Sequence, residues 1–532
     1  MARGDVKIIT KGDEAKRKLL KGAKEVYDAV STTYGAVSSN VAIQKSYGNA
    51  VVTKDGVTVA REIYLKDEVE DMGAGFLIQA SEKTNQISGD GTSATVLLGY
   101  HILQKANQRV AAGFDPMELR RGIDKAAIDV KQRLDDMKAE VKGDDLIKVA
   151  SISASDPEVG KLVADTVEKV GGVGITVEEH QGLGVFQEVV DGLYFEKGWT
   201  MPHFVTDRTT EEVVHENVSI ALLEKHIKQN QDVVPLIEMV HGETEHKTLL
   251  IIGNVSGQAL ETCALTNLAG KVKICVVNPP VYGDQELPFL EDVACMTGGK
   301  VVPSSLPTDK ITVEYLGSAD KIIATKGNTT IFGCKGAKED VEVRIANLKE
   351  QLKSDKYSAF QKERMEMRLA KLQGKIGLIK VGGATETEVK EMKFRVEDAV
   401  HATRAAKEDG VVPGGATALA RISQFMDRET EGAKVVCESL LELFKQLMEN
   451  AGEDGGYRLQ QMLKSKDWYG FDVTNMTDEP IELTDILDPV TVIKSVVENA
   501  CSFAGIAVTI PLTITYDREY QLEQVQLNKA RM

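Results

Sequence analysis

Cysteine is sparse and dispersed in this chain: six residues, Cys263, Cys275, Cys295, Cys334, Cys437 and Cys501, among 532. No C-x-x-C pair is present and none clusters with histidine, which excludes a disulfide framework and a zinc ribbon and leaves buried free thiols. No cysteine nucleophile is evident. Long apolar runs are missing too. None reaches the length of a bilayer span, and the opening "MARGDVKIITKGDEAKRKLLKG" lacks the apolar centre of a secretory signal, so a cytoplasmic protein is expected. Positive charge is in short supply, with 64 Lys and Arg against 81 Asp and Glu and a net charge of −17. That balance argues against a general nucleic-acid binder and against attraction to anionic membranes. A Walker A loop is absent, because Gly-Lys pairs such as Gly160-Lys161, Gly270-Lys271 and Gly299-Lys300 are followed by Leu or Val. Any nucleotide site must be built differently. The chain shows no short-period repeat, which excludes a solenoid.

What is present is the composition of a soluble globular protein, 42% hydrophobic and 27% charged, in a chain long enough for about two to four domains. Helical spacing runs from Asp13 to Thr33. "VAIQKSYGNAVVTKDGVTVA" then reads as two short strands around Gly48 with a second turn at Lys54-Asp55-Gly56. Helices follow to about Lys142, Asp156-Pro157 marks another helix start, and "VGITVEE" is a strand. From about Gly192 to Gly374 strand-like runs such as "KTLLIIGN" and "KVKICVVNPP" alternate with helices, as in an α/β domain inserted into a helical host. Two charged amphipathic helices, parting near Asp355 and carrying Val343, Ile345, Leu348 and Leu352, close that insertion as a solvated hairpin. Helical texture returns at "EMKFRVEDAVHATRAAKEDG". The expected fold class is a multidomain α/β (α+β) chain.

The stretch "ISGDGTSATVLLGYHIL" places Gly-Asp-Gly-Thr-Ser directly before an apolar helical run. Taken alone, it reads first as a capped helix start in which Asp90 or Thr92 satisfies free N–H groups. The same geometry can hold a phosphate on the helix N-terminus, with Asp90 holding the accompanying divalent metal. Asp398 lies on a predicted helix with Ala402 and Ala405 on its face, which would leave room beside the acid. Alone, it reads as an exposed acid paired with an arginine.

Taken together, "VVTKDGVTVAREI", "SGDGTSATVLL", "VAAGFDPMELRRGIDKA", "RVEDAVHATRAAKEDGVVPGGATALARI" and "DILDPVTV" resemble the chaperonins, in order over nearly the whole chain. The resemblance is closest to group I chaperonins of the GroEL type, since the apical stretch has no extra protrusion. It implies an equatorial ATPase domain at 1–136 and 410–532, an intermediate domain at 137–191 and 375–409, and an apical substrate-binding domain at 192–374. It also implies ATP with Mg2+ bound by Asp90, phosphates wrapped by Gly91, Thr92 and Ser93, and a facing loop of Thr33, Gly35 and Ala36. Lys54 and Asp55 would stand beside the γ-phosphate, and K+ would lie among Thr33, Lys54 and Ser93. Asp398 would be the hydrolytic carboxylate. Gly414 and Gly415 would approach the adenosine, Phe471, Asp472 and Val473 the base, and Asp488 the ribose.

The resemblance further implies a client-binding apolar surface at Trp199, His203, Phe204, Val234, Ile237, Leu260, Ala264 and Leu265. Its partners would be copies of the chain in heptameric rings, unfolded polypeptides and a GroES-type co-chaperonin. The expected activity is ATP-driven protein folding; the alternative is a non-hydrolysing holdase or structural ring on the same scaffold. Several positions depart from the family pattern. Ala94 replaces a hydroxyl, "GAVSSNV" stands for the usual "GPKGRNV", Asp472 replaces an amide, and the last residues lack the Gly-Gly-Met tail.

Overall fold

The computed structural model describes residues 7–44, 50–170, 174–180, 182–207, 210–353, 359–372, 375–466 and 468–516. The expected turn at Gly48 lies outside them. Helix α1 (Gly12–Ser31) buries Ala15, Leu19, Ala23, Val26 and Val30, a three-and-four spacing that puts one stripe against the core. Helices α2 (Gly56–Arg61) and α3 (Glu68–Ser88) start on the carboxylates of Asp55 and Asp67. Helix α4 (Thr92–Ala111) starts on Gly91 with no side chain capping its end, and α5 (Pro116–Met137) starts on Asp115 with proline in its first turn. Helices α6 (Asp145–Ala154) and α7 (Pro157–Val170) follow. The Asp-Pro start expected for α7 is present: Asp156 accepts the N–H groups of Glu158 and Val159 at 2.8 and 3.1 Å.

The inserted stretch carries α8 (Asn230–Glu243), α9 (Gly257–Leu268), α10 (Glu286–Thr297), α11 (Lys338–Lys353) and α12 (Ala359–Leu372). After it come α13 (Glu386–Asp409), α14 (Thr417–Phe425), α15 (Glu431–Asn450), α16 (Gly455–Lys464) and α17 (Val490–Ala507).

The chain divides into two compact units, one of residues 1–165, 179–186 and 381–532 and the other of 166–178 and 187–380. The first is a helical body whose core is formed by residues such as Leu77, Leu97, Leu98, Ile102, Phe444 and Val496. Contrary to the expectation from sequence, one helix among the described residues, α17, has the length and apolarity of a membrane span, yet 67% of it is buried, as befits a core helix. Strands Lys7–Lys11 and Leu512–Tyr516, at opposite ends of the chain, pair antiparallel with each other, Ile9 facing Ile514. Ile8, Ile9, Leu512 and Ile514 stay exposed on this two-stranded ribbon.

The second unit is built on a mixed sheet. Strand Val213–Ile227 pairs antiparallel with Gly317–Ala324 on one side and parallel with Thr248–Val255 on the other, which in turn pairs parallel with Lys273–Val277. Strand Thr248–Val255 is buried at seven of its eight positions, as a parallel strand covered on both faces must be. The hairpin of α11 and α12 is tied down more firmly than its charged sequence suggested. Asp292 of α10, 6% exposed, accepts Arg344 Nε at 2.9 Å and Arg368 Nε and Nη2 at 2.6 and 2.7 Å.

Candidate functional site

Three segments far apart in sequence meet at the start of α4. Gly91, at φ +84°, turns the chain in a left-handed conformation that suits glycine, and a Cβ there would lie 2.8 Å from Val492 and from Val496 of α17. The start of α2 approaches so closely that a Cβ on Gly56 would stand 2.2 Å from Ser93 Oγ. From a third direction α13 arrives, its His401 ring touching Gly89, where a Cβ would be 2.1 Å from Cγ. These contacts bring the segments that carry Asp55, Asp90 and Asp398 together, near enough that the charges of Asp55 and Asp90 act on Asp398. The end of α1 adds a fourth wall: Thr33 Oγ1 donates to Val30 O at 2.8 Å and stands 3.2 Å from Ser93 Oγ.

The carboxylates are engaged differently. Asp55 accepts the N–H groups of Val57 and Thr58 at 3.2 and 3.0 Å and the Thr58 hydroxyl, so it caps α2 as well as facing the site. Asp90 accepts the N–H of Gly91, its immediate neighbour, and does not cap α4. The helix end therefore keeps backbone donors without a side-chain cap. Burial pushes the Asp90 carboxyl up, with Asp55 adding to the effect and the Gly91 N–H opposing it. Asp398 is pushed well up, chiefly by burial and then by Asp55, Asp90 and Glu397. Ala402 and Ala405, expected to leave room beside it, are both buried.

A further wall comes from the turn before α14 and the strand Leu487–Pro489, which pairs with Val411–Pro413. A Cβ on Gly414 would lie 2.8 Å from Asp488 Oδ1. Burial, helped by Asp90 and opposed by the N–H groups of Gly415 and Ala416, raises Asp488 to about 7. Gly415 follows in a left-handed conformation, and so does Ala416, at φ +58°. Ala36 is exposed and Lys54 half-buried on the rim. Phe471 is 2% exposed, with the Arg458 guanidinium 5.1 Å from its ring centroid. Its ring therefore packs in the helical core. Asp472 spends its carboxylate on its own turn, accepting Thr474 N, Thr474 Oγ1 and Asn475 Nδ2 at 2.8, 2.6 and 3.0 Å, and Val473 packs against the core.

Tyr34 has no counterpart among the residues singled out in sequence. Burial raises its phenol, and the charges of Asp488 and Asp90 raise it further, so the ring lies within electrostatic reach of both acids. Only the position of "TTYGA" after α1 could have signalled it.

The residues present suit a magnesium-bound polyphosphate. Among the described residues no three His, Cys, Asp or Glu side chains form a metal cage. Magnesium is commonly held by one or two carboxylates with phosphate oxygens and water, and Asp90 beside an open helix start offers that donor set.

In the second unit the apolar surface residues separate. Phe204 is fully buried, and Ile237 and Ala264 are 8% and 5% exposed. Trp199, whose Nε1 donates to Glu211 O at 2.9 Å, is half-buried, as are Val234 and Leu260. His203 is exposed. Leu265 and Leu268, three residues apart on α9, are 68% and 62% exposed; Leu268 was not anticipated.

Among solved structures, the chain is similar to the chaperonin gp146 of the bacteriophage EL 2 (Pseudomonas aeruginosa) in the presence of ATP-BeFx. Crystal form II gives a TM-score of 0.69 at 22% identity, covering 96% of this chain and 99% of that chain. Crystal form I gives 0.61 at 23%, with the same coverage. A likeness at this identity speaks for the fold, a helical body with an inserted α/β unit. The sequence itself matches the TCP-1/cpn60 chaperonin family over residues 26–250 and 243–515, and this chain therefore belongs to that family.

Proposed function

We propose that this chaperonin is an ATPase of the group I, GroEL type that captures non-native polypeptides and assists their folding in a ring cavity. The observation that carries the reading is the meeting of Asp55, Asp90 and Asp398 at the uncapped start of α4. Burial raises both Asp90 and Asp398, Asp55 adds to each, and a site of gathered negative charge is stabilised when a cation enters. In this reading Asp90 binds Mg2+, which supplies charge neutralisation at the phosphates, and the backbone of Gly91, Thr92 and Ser93 cradles them. Asp398 orients the attacking water and takes its proton, while Asp55 lines the phosphate end. Positioning and charge compensation are most of what phosphoryl transfer requires. The adjacent hydroxyls of Thr33 and Ser93, with Lys54, form the K+ position. Gly414, Gly415 and Asp488 line the nucleoside side.

The equatorial, intermediate and apical division described above belongs to the same reading, with action in the cytoplasm. The exposed ribbon of Lys7–Lys11 and Leu512–Tyr516 supports self-association, because open strand edges accept another chain; the assembly proposed is a heptameric ring served by a GroES-type lid. Clients bind at Leu265, with Leu260, Val234, Trp199 and His203 around it. Steady-state ATPase measurement and electron microscopy on one preparation test the proposal: ring particles that turn over ATP support it. Rings with no ATP turnover would favour the non-hydrolysing holdase.

A further inference from the structure

The walls of the candidate site rest on a turn of α15 that contributes no side chain from the acidic cluster. Asn450, the last residue of α15, donates from Nδ2 to the backbone oxygens of both Ser31 and Tyr34, each at 2.8 Å. Its own Oδ1 accepts Gln446 Nε2 at 2.9 Å, and Gln446 Oε1 accepts the Tyr27 hydroxyl at 2.9 Å. A continuous polar chain thus runs from α1 through α15 back to the loop that follows α1. Between Gln446 and Asn450 lies Leu447. A Cβ on Gly35 would come within 2.3 Å of Leu447 Cδ1, and one on Gly415 within 3.6 Å of Leu447 Cδ2. Two glycine turns, almost four hundred residues apart, therefore lie against one leucine.

We infer that Asn450 is a positioning residue for nucleotide binding: with Leu447 beneath, it fixes the loop of Thr33 to Gly35 at the distance from Ser93 and Gly415 that a bound nucleotide requires. The inference rests on the nucleotide reading given above. The physical reason is specific to the amide. Ser31 and Tyr34 present two carbonyl oxygens to one NH2 group, and a carboxylate in its place would face both oxygens with charge and no donor. The effect falls on binding, because Asn450 holds the backbone of Ser31 and Tyr34 and touches none of the groups that the reading assigns to hydrolysis. Asn450 consequently acts on affinity more than on turnover.

The test compares Asn450→Asp, Asn450→Ala and Tyr27→Phe with the wild-type protein, using Mg-ATP in calorimetry and in steady-state kinetics. Asn450→Asp should raise Kd and KM at least about tenfold while kcat at saturation stays within about threefold. Asn450→Ala, which removes the donors without adding charge, should fall between it and wild type. Tyr27→Phe, at the far end of the chain of bonds, should change Kd less than about threefold. Folded Asn450→Asp protein that binds Mg-ATP within twofold of wild type overturns the inference; if that variant does not fold, the same limit applied to Asn450→Ala decides. A fall in kcat with KM unchanged also overturns it. Absence of Mg-ATP binding by the wild-type protein would instead defeat the nucleotide reading, and this inference with it.

Discussion

Replacing Asp488 by asparagine should stabilise the ligand-free protein, and do so only as the pH rises. The carboxyl is packed against Gly414, receives N–H groups from Gly415 and Ala416, and is raised to about 7 by burial and by Asp90. In the unfolded chain an aspartate titrates near about 3.9. The folded state therefore holds its proton about three units longer, and the stabilising contribution, fully present below pH 4, is lost as the pH rises through 7. At about 1.36 kcal/mol per unit the loss is about 4 kcal/mol. Part of the residue reaches solvent, and screening reduces this to about 2 kcal/mol. Asparagine keeps an oxygen for the two N–H groups but cannot ionise, so Asp488→Asn escapes the loss. Thermal unfolding of both proteins at pH 5, 6, 7 and 8, without magnesium or nucleotide, should show a gap that widens in favour of the variant. A gap that stays constant or narrows with rising pH would refute the reasoning.

Asp398→Ala should leave Mg-ATP affinity within about threefold and slow single-turnover hydrolysis by about a hundredfold or more, as loss of a water-orienting group requires. If Asp90 holds the metal as proposed, Asp90→Ala should instead weaken Mg-nucleotide binding itself in calorimetry, because a protein oxygen on the metal is lost. On the second unit, Leu265→Ser with Leu268→Ser should abolish capture of a denatured test protein with thermal stability and ATPase intact. Phe204→Ser, at a fully buried ring, should cost about 3–5 kcal/mol in denaturant titration. Asp292→Ala removes the shared acceptor of Arg344 and Arg368 and should cost about 3–5 kcal/mol in the same assay.

The helical elements of both units were legible because their apolar spacing and their caps lie close together in sequence, as with Asp156 over α7 or the stripe of α1. The segment from Gly89 to Ser93 was legible for the same reason, since glycine and aspartate before an apolar run mark a turn into a helix. Burial on the second unit was not legible. Phe204 and Leu265 are both large apolar residues in amphipathic surroundings, and only the tertiary packing decides that one ring is enclosed and the other side chain stands in water. Ala416 shows a different limit: its left-handed backbone is imposed by the turn, and alanine carries no sequence signal for it. Asn450 and Leu447 were hidden because their partners lie more than four hundred residues away or on a distant turn, and nothing local distinguishes them from other helical positions. The mutual pairing of the two terminal strands required the same long-range information.

The split of the helical unit by the inserted one has a consequence for the order in which the molecule is made. The inserted unit is nearly continuous in the chain, so its sheet can close as soon as residue 380 has emerged. The candidate site cannot: it needs Thr33 from one flank and Asp488 from the other, and the bond from Asn450 to Ser31 spans 419 positions. At synthesis rates of about 5–20 residues per second, Thr33 waits about 20–90 s for Asp488. During that interval the first flank alone cannot complete the candidate site. In the proposed reading nucleotide affinity is therefore acquired late and all at once, after Asp488 has emerged, and copies that stop before it lack one wall of the site.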